Sequence, residues 1–217
     1  MSDAILPKQF DEADGVEDWR VMAYQLAGAY FPTGSFATGL AFVAEIGRLA
    51  EAADHHPDVE LRYGSVTVWL TSHDVGGLSN RDVKMARKIS AAARDLGLQA
   101  DTKAVQRINV TIDALVPADV MPFWSALLAY NPKEDADLVD PRGAGPNVWL
   151  QQMDAPRPQR NRLHLDVSVP HDQASARIAA AIAAGGRMVT DEHAPGWWVL
   201  ADPEGNEACV TTWMGRD

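Results

Sequence analysis

The rhythm of the chain changes around Gly97, and that change divides it into two halves built on different patterns. A helical stripe, Val83, Ala86, Ile89, Ala93 and Leu96, runs up to Gly97, which stops it. The polar run Gln99-Ala100-Asp101-Thr102-Lys103 follows, and a β-branched pattern begins at Val105. The boundary is expected there, giving domains over 1–100 and 104–217 of the 217 residues, each long enough to bury its own core.

The first half reads as an α+β layer. A strand is predicted near Gln25 to Phe31, a helix from Ser35 to about Asp54, strands at Glu60 to Tyr63 and Ser65 to Leu70, and then the helix that ends at Gly97. In the first helix Phe36, Leu40, Val43, Gly47 and Ala50 recur at helical spacing, so this face is expected to pack on the sheet. The second helix opens with Ser79-Asn80-Arg81-Asp82, a capping-box start.

The second half repeats itself weakly. Asn109-Val110-Thr111-Ile112-Asp113 overlays His164-Leu165-Asp166-Val167-Ser168, and each strand leads into a helix, through Trp124 to Leu128 and through Arg177 to Ala181. Strands follow at Asn147 to Gln152, Trp197 to Leu200 and Glu207 to Trp213, with the turn Asp202-Pro203-Glu204-Gly205-Asn206 joining the last two. Two βαβββ-like units are expected.

Composition narrows the function. A net charge of -11 with scattered Lys and Arg gives a phosphate backbone little to hold, so no nucleic-acid partner is expected. The apolar run from Ile178 to Gly186 is well short of the ~20 residues a bilayer requires, so no membrane partner is expected either. The single cysteine, Cys209, and the absence of a basic or apolar leader in Met1-Ser2-Asp3-Ala4 point to a cytoplasmic location.

Chemistry concentrates between Glu51 and Asp82. His55 and His56 sit where Pro57 prevents the first helix from continuing, and His73 follows the strand Ser65 to Leu70, on a loop through Asp74-Val75-Gly76-Gly77. Imidazole both gives and takes protons near neutrality, so three of them in a shared cleft would suit proton transfer. An adjacent His pair is otherwise an ordinary solvated loop. A zinc site is the competing reading, but adjacent residues seldom aim both rings at one ion and this half has no cysteine, so no metal is expected.

The order Glu51, His55-His56-Pro57, Tyr63, His73, Asp82 resembles the signature of the pterin-4a-carbinolamine dehydratases, with similarity running from about Asp18 to Leu96. That resemblance implies a four-stranded antiparallel sheet with helices on one face, assembly as a homodimer or tetramer, and dehydration of 4a-hydroxytetrahydropterin to the quinonoid dihydropterin. It places the catalytic histidines on His55, His56 and His73, and pterin contacts on His55 to Pro57 and on Ser72 to Val75, adding Pro57, Ser72, Asp74 and Val75 to the substrate site. The reaction needs an acid for the leaving hydroxide and a base for the ring-nitrogen proton, and no cofactor. His55 and His73 are expected to share those roles, with His56 on the pterin edge and Glu51, Asp54 or Asp74 orienting an imidazole.

The second half resembles the vicinal-oxygen-chelate, or glyoxalase-like, fold from about Val105 to Trp213. Metal-dependent members would place ligands at Asn109, Gln151 or Gln152, His164 and Cys209, of which only His164 is a convincing one, so a working glyoxalase is not expected. His164, Trp149 and Trp197, with Trp198 and Trp213 on nearby strands, make a possible ligand site. The leading expectation is a pterin dehydratase with an accessory glyoxalase-like domain. A noncatalytic assembly protein and a small-molecule sequestering protein are the alternatives.

Overall fold

Strand β4 (Ser65–Leu70) alternates Val66, Val68 and Leu70, all fully buried, with the half-buried Thr67 and Trp69, so it has one core face and one open face. It lies inside an antiparallel sheet completed by β1 (Arg20–Met22), β2 (Leu26–Pro32) and β3 (Asp58–Arg62), in the order β1-β2-β4-β3. The core face of β2, Ala27, Ala29 and Phe31, meets α2 (Phe36–Ala53), where Phe31 and Phe42 stack edge to face at 5.0 Å between centroids. Helix α3 (Asn80–Asp95) packs beside α2 and adds Ile89 and Ala86 to this core, and a short α1 (Pro7–Asp11) contributes Phe10. On the other face the Trp69 ring lies across Gly28, where no Cβ would fit, and the Arg107 guanidinium sits 5.6 Å above that ring. The computed structural model describes residues 3–22, 26–156, 165–212 and 214, and this first compact unit spans Met1–Arg107.

The buried face of α2 is rotated from the expected one, keeping Ala50 and, half-buried, Val43 but not Phe36, Leu40 or Gly47. Gly39, Phe42, Ile46 and Ala50 point inward, whereas Phe36 and Leu40 are 49 % and 54 % exposed and a Cβ at Gly47 would meet nothing. Both stripes are apolar at helical spacing, and Gly39 decides between them because it lets the Leu61 side chain approach the helix backbone. In α3 the expected stripe is buried through Ala93, but Leu96, beyond the helix end, is exposed and Leu98 is buried in its place.

The second unit, Ile108–Asp217, makes the same turn twice. Strand β5 (Val110–Ala114), α4 (Pro117–Leu128), β6 (Asn131–Lys133), β7 (Asp137–Val139) and β8 (Val148–Gln152) form a sheet in the order β5-β8-β7-β6, with β5 and β8 parallel. Strand β9 (Leu165–Ser168), α5 (Ala174–Ala183), β10 (Arg187–Thr190), β11 (Trp197–Ala201) and β12 (Glu207–Thr211) repeat it in the order β10-β11-β12-β9, with β9 and β12 parallel. Both βαβββ units are present, and one core draws on both, from Ile112 and Phe123 in the first to Ile178 and Val210 in the second.

The turn after β11 fastens the two repeats together. Asp202, fully buried, accepts hydrogen bonds from the Trp124 indole Nε1 at 3.0 Å, from the Asn206 amide group at 2.8 Å and from the backbone N–H of Glu204 and Asn206. The Glu204 carboxylate accepts from the Leu115 and Val116 N–H at 2.6 and 2.7 Å, where α4 begins and Val116 offers no side-chain cap. A carboxylate there also opposes the positive end of the helix dipole. Glu204→Ala is expected to destabilise this unit by ~1 kcal/mol, read as a lower urea midpoint at unchanged slope.

A second carboxylate organises the loop between β7 and β8. Asp140 accepts from the Arg142 Nε and N–H and from the N–H of Ala144 and Gly145. Burial pushes its pKa up, but the Arg142 guanidinium and these backbone donors more than offset that and hold it at about 2. The folded value is below that of an unfolded carboxylate, ~3.9, so this stabilisation is fully present above about pH 4 and is lost as pH falls toward 2. Thermal melts of Asp140→Asn are expected to show a shallower acid limb than the parent in that window.

Candidate active site

The end of α2 aims the first histidine inward. Asp54 adopts the left-handed conformation (φ 46°), and the His55 N–H closes back onto the Ala50 carbonyl at 3.2 Å, so the chain turns sharply and His55 is buried at 8 % exposure. Pro57 then starts the approach to β3, half-buried.

Buried beside His55 is the first turn of α3. Ser79 caps the helix, and the Asp82 side chain returns to the Ser79 N–H at 2.7 Å, completing the capping box. That leaves the other Asp82 oxygen for His55 Nε2, at 2.8 Å. The oxygen that receives the Ser79 N–H also accepts from the Ser72 hydroxyl at 2.8 Å, and the Ser79 hydroxyl completes the cluster by donating to Ser72 Oγ at 2.7 Å. Asp82, Ser72 and Ser79 are all at most 1 % exposed, so every polar atom of the cluster is satisfied away from water. A carboxylate can only accept; the bond therefore places a proton on His55 Nε2.

The other two histidines face solvent. His56 is exposed and its Nε2 lies 3.0 Å from the Glu51 carboxylate, one turn back along α2. His73 opens a single 3₁₀ turn, His73–Val75, directly after the buried Ser72, and is exposed. Asp74, beside it, takes two hydrogen bonds from Arg81 Nη2 at 2.7 and 2.9 Å, and that guanidinium, with a smaller contribution from His55, holds the Asp74 carboxyl below its usual range.

Of the three carboxylates expected to orient an imidazole, Glu51 does so for His56, whereas Asp54 caps α2 through its backbone and Asp74 is held by Arg81. His55 is oriented by Asp82, a residue the sequence presents as a helix cap. Its fixed place in the histidine pattern was the available signal. Ser72 enters the site as a hydrogen-bond donor to that carboxylate, and Val75 is half-buried in the turn after His73.

Comparison with known proteins matches each unit separately. The family model described as pterin 4 alpha carbinolamine dehydratase matches residues 3–92, and the model described as glyoxalase-like domain matches 109–211. A protein provisionally named pterin-4-alpha-carbinolamine dehydratase from Chloroflexus aggregans is 40 % identical over 72 residues, which cover 33 % of this chain and 77 % of that protein. The chain belongs to the pterin-4a-carbinolamine dehydratase family. A similarly named relative from Roseiflexus sp. is 48 % identical over 59 residues, covering 27 % of this chain and 63 % of its own length. A solved glyoxalase/bleomycin resistance protein from Albidiferax ferrireducens is 23 % identical, with a TM-score of 0.38, covering 48 % of this chain and 95 % of that one. In this dehydratase-family chain, no helix among the described residues is long and apolar enough to cross a membrane.

The glyoxalase-like unit places its candidate residues apart from one another in kind. Trp149 is exposed on β8, and Gln151 is exposed on the same face of that strand. Gln152 instead spends its amide on the carbonyls of Leu115 and Met153. Cys209 is buried in β12 opposite Val199 and Asp166. Trp197 stacks on His193 at 4.3 Å between centroids, and Trp198 turns toward the core. His164 and Trp213 lie outside the described residues, and Asn109 precedes β5.

Proposed function

We propose that this chain dehydrates a 4a-hydroxytetrahydropterin to the quinonoid dihydropterin, with His55 and His73 as acid and base and the glyoxalase-like unit as an accessory. In that reaction the bond from the 4a carbon to its hydroxyl breaks, the hydroxyl leaves as water with a proton from one histidine, and the other histidine takes the proton of the neighbouring ring nitrogen. The observation that carries the reading is the buried Asp82–His55 bond, because it fixes one tautomer of a buried imidazole at the edge of the loop bearing His73. Exposed His56 and Asp74, half-buried Pro57 and Val75 and the buried Ser72 would contact the pterin. Family membership supports the reaction class.

Self-association fits the same reading. Phe36 and Leu40, one helical turn apart on α2, and Tyr63 in the β3–β4 turn are 49 %, 54 % and 82 % exposed, apolar surface that a second copy would cover. The test of function is dehydration of freshly generated 4a-hydroxytetrahydropterin by the purified full chain, followed as quinonoid product by absorbance, with sedimentation of the same preparation. Turnover by a dimer or tetramer is the expected result. A folded chain that leaves the spontaneous rate unchanged would defeat the reading.

A further inference from the structure

Arg81 lies two residues after the cap Ser79 of α3 and reaches a pair of carboxylates, one seven and one 78 residues away in sequence. Its Nη2 makes the two bonds to Asp74, and its Nε lies 3.0 Å from Asp3 Oδ2. Asp3 itself is fixed by backbone. The Ile5 N–H donates to the Leu78 carbonyl at 2.9 Å, the Asn80 N–H donates to the Asp3 carbonyl at 3.1 Å, and Ala4 bridges Ser79 in antiparallel fashion. The segment 3–5 is thus a short strap along residues 78–80, and it presents one carboxylate to the guanidinium that also holds Asp74 in the His73 turn.

We propose that Asp3 is a positioning residue for the site: through Arg81 it fixes Asp74 and so the turn that presents His73. Adjacent residues of one helix turn then divide the work, Asp82 holding His55 from inside and Arg81 holding the His73 turn from outside. A planar guanidinium suits the task because it engages two carboxylates at once, Asp3 through Nε and Nη2 and Asp74 through Nη2, which a lysine ammonium does not do with the same directionality. Arg81 is raised and Asp74 lowered in pKa chiefly by their mutual hydrogen bonding, as a made pair requires.

The functional part of this inference rests on the dehydratase reading, so its test includes a readout independent of turnover. In the full chain, Asp3→Asn is expected to speed hydrogen exchange at the Val75 and Gly76 amides, which bond Ser72 and His73 carbonyls, by about two- to five-fold, the range of an exposed ion pair. Asp74→Asn is expected to do the same, the double variant no more than the larger single one, and Arg81→Lys to restore neither amide. If the parent turns over pterin, kcat of Asp3→Asn falls by a similar factor while KM moves less. Acceleration confined to Asn80, or additive effects in the double variant, would overturn the coupling. Loosened amides with unchanged kcat would overturn the positioning role, whereas an inactive parent with the exchange pattern intact would defeat only the dehydratase reading.

Discussion

His73→Ala is expected to slow dehydration of 4a-hydroxytetrahydropterin by ~10²–10⁴-fold, the usual contribution of a general acid or base, with no measurable change in the urea midpoint. The two halves of that expectation come from one fact: His73 is exposed at the start of its 3₁₀ turn, so truncating the ring removes chemistry without opening a cavity or stranding a buried partner. The same substitution at His55 would be harder to interpret, because it would leave the Asp82 carboxylate buried with one partner fewer. Single-turnover absorbance traces on parent and His73→Ala check the prediction, and near-parental turnover would remove His73 from the mechanism.

Asp82→Ala has the second large effect, on folding as well as on rate. This carboxylate receives the His55 Nε2, the Ser72 hydroxyl and the Ser79 N–H in a region sealed from water. Alanine would take the acceptor from His55 Nε2 and the Ser79 N–H and break the Ser72 bond, at a cost of about 3–5 kcal/mol, a large share of the stability a domain of this size commonly has. Asp82→Asn keeps the shape but offers a donor where one of those donors now points, and it frees His55 from a single tautomer. It is expected to fold, with a lower urea midpoint, and to lose turnover. An Asp82→Asn protein as active and as stable as the parent would show that the buried bond is idle.

Much of this architecture can be read from local pattern. Strand β4 announces itself by alternation, α3 by its capping box and stripe, and the two βαβββ repeats by similar strand-to-helix passages at Asn109 and His164. What pattern cannot give is a choice between equally periodic faces: Phe36 and Leu40 look as fit for burial as Phe42 and Ile46, and only the approach of Leu61 to Gly39 selects the second pair. Short or polar elements are lost for a different reason. In β6, Asn131-Pro132-Lys133 is exposed throughout and paired only to β7, and β1 has too few residues to show a period. At the site, the histidine spacing marks the segments that carry His55 and His73, while the bond between His55 and Asp82 is not legible because Asp82 accepts from His55, Ser72 and Ser79 and the sequence displays only its helix-capping role.

Glu204 and Asp202 give the second unit a constraint on the order in which it can be made. They cap α4 and anchor Trp124 from positions 88 and 78 residues further along the chain, past the first four elements of the second repeat. On a ribosome, the first repeat is therefore exposed with its helix start bare and its indole unpaired until the final hairpin has been synthesised. A truncated product ending in β10 would be left with that surface permanently open, a substrate for chaperones and proteases rather than a half-sized module.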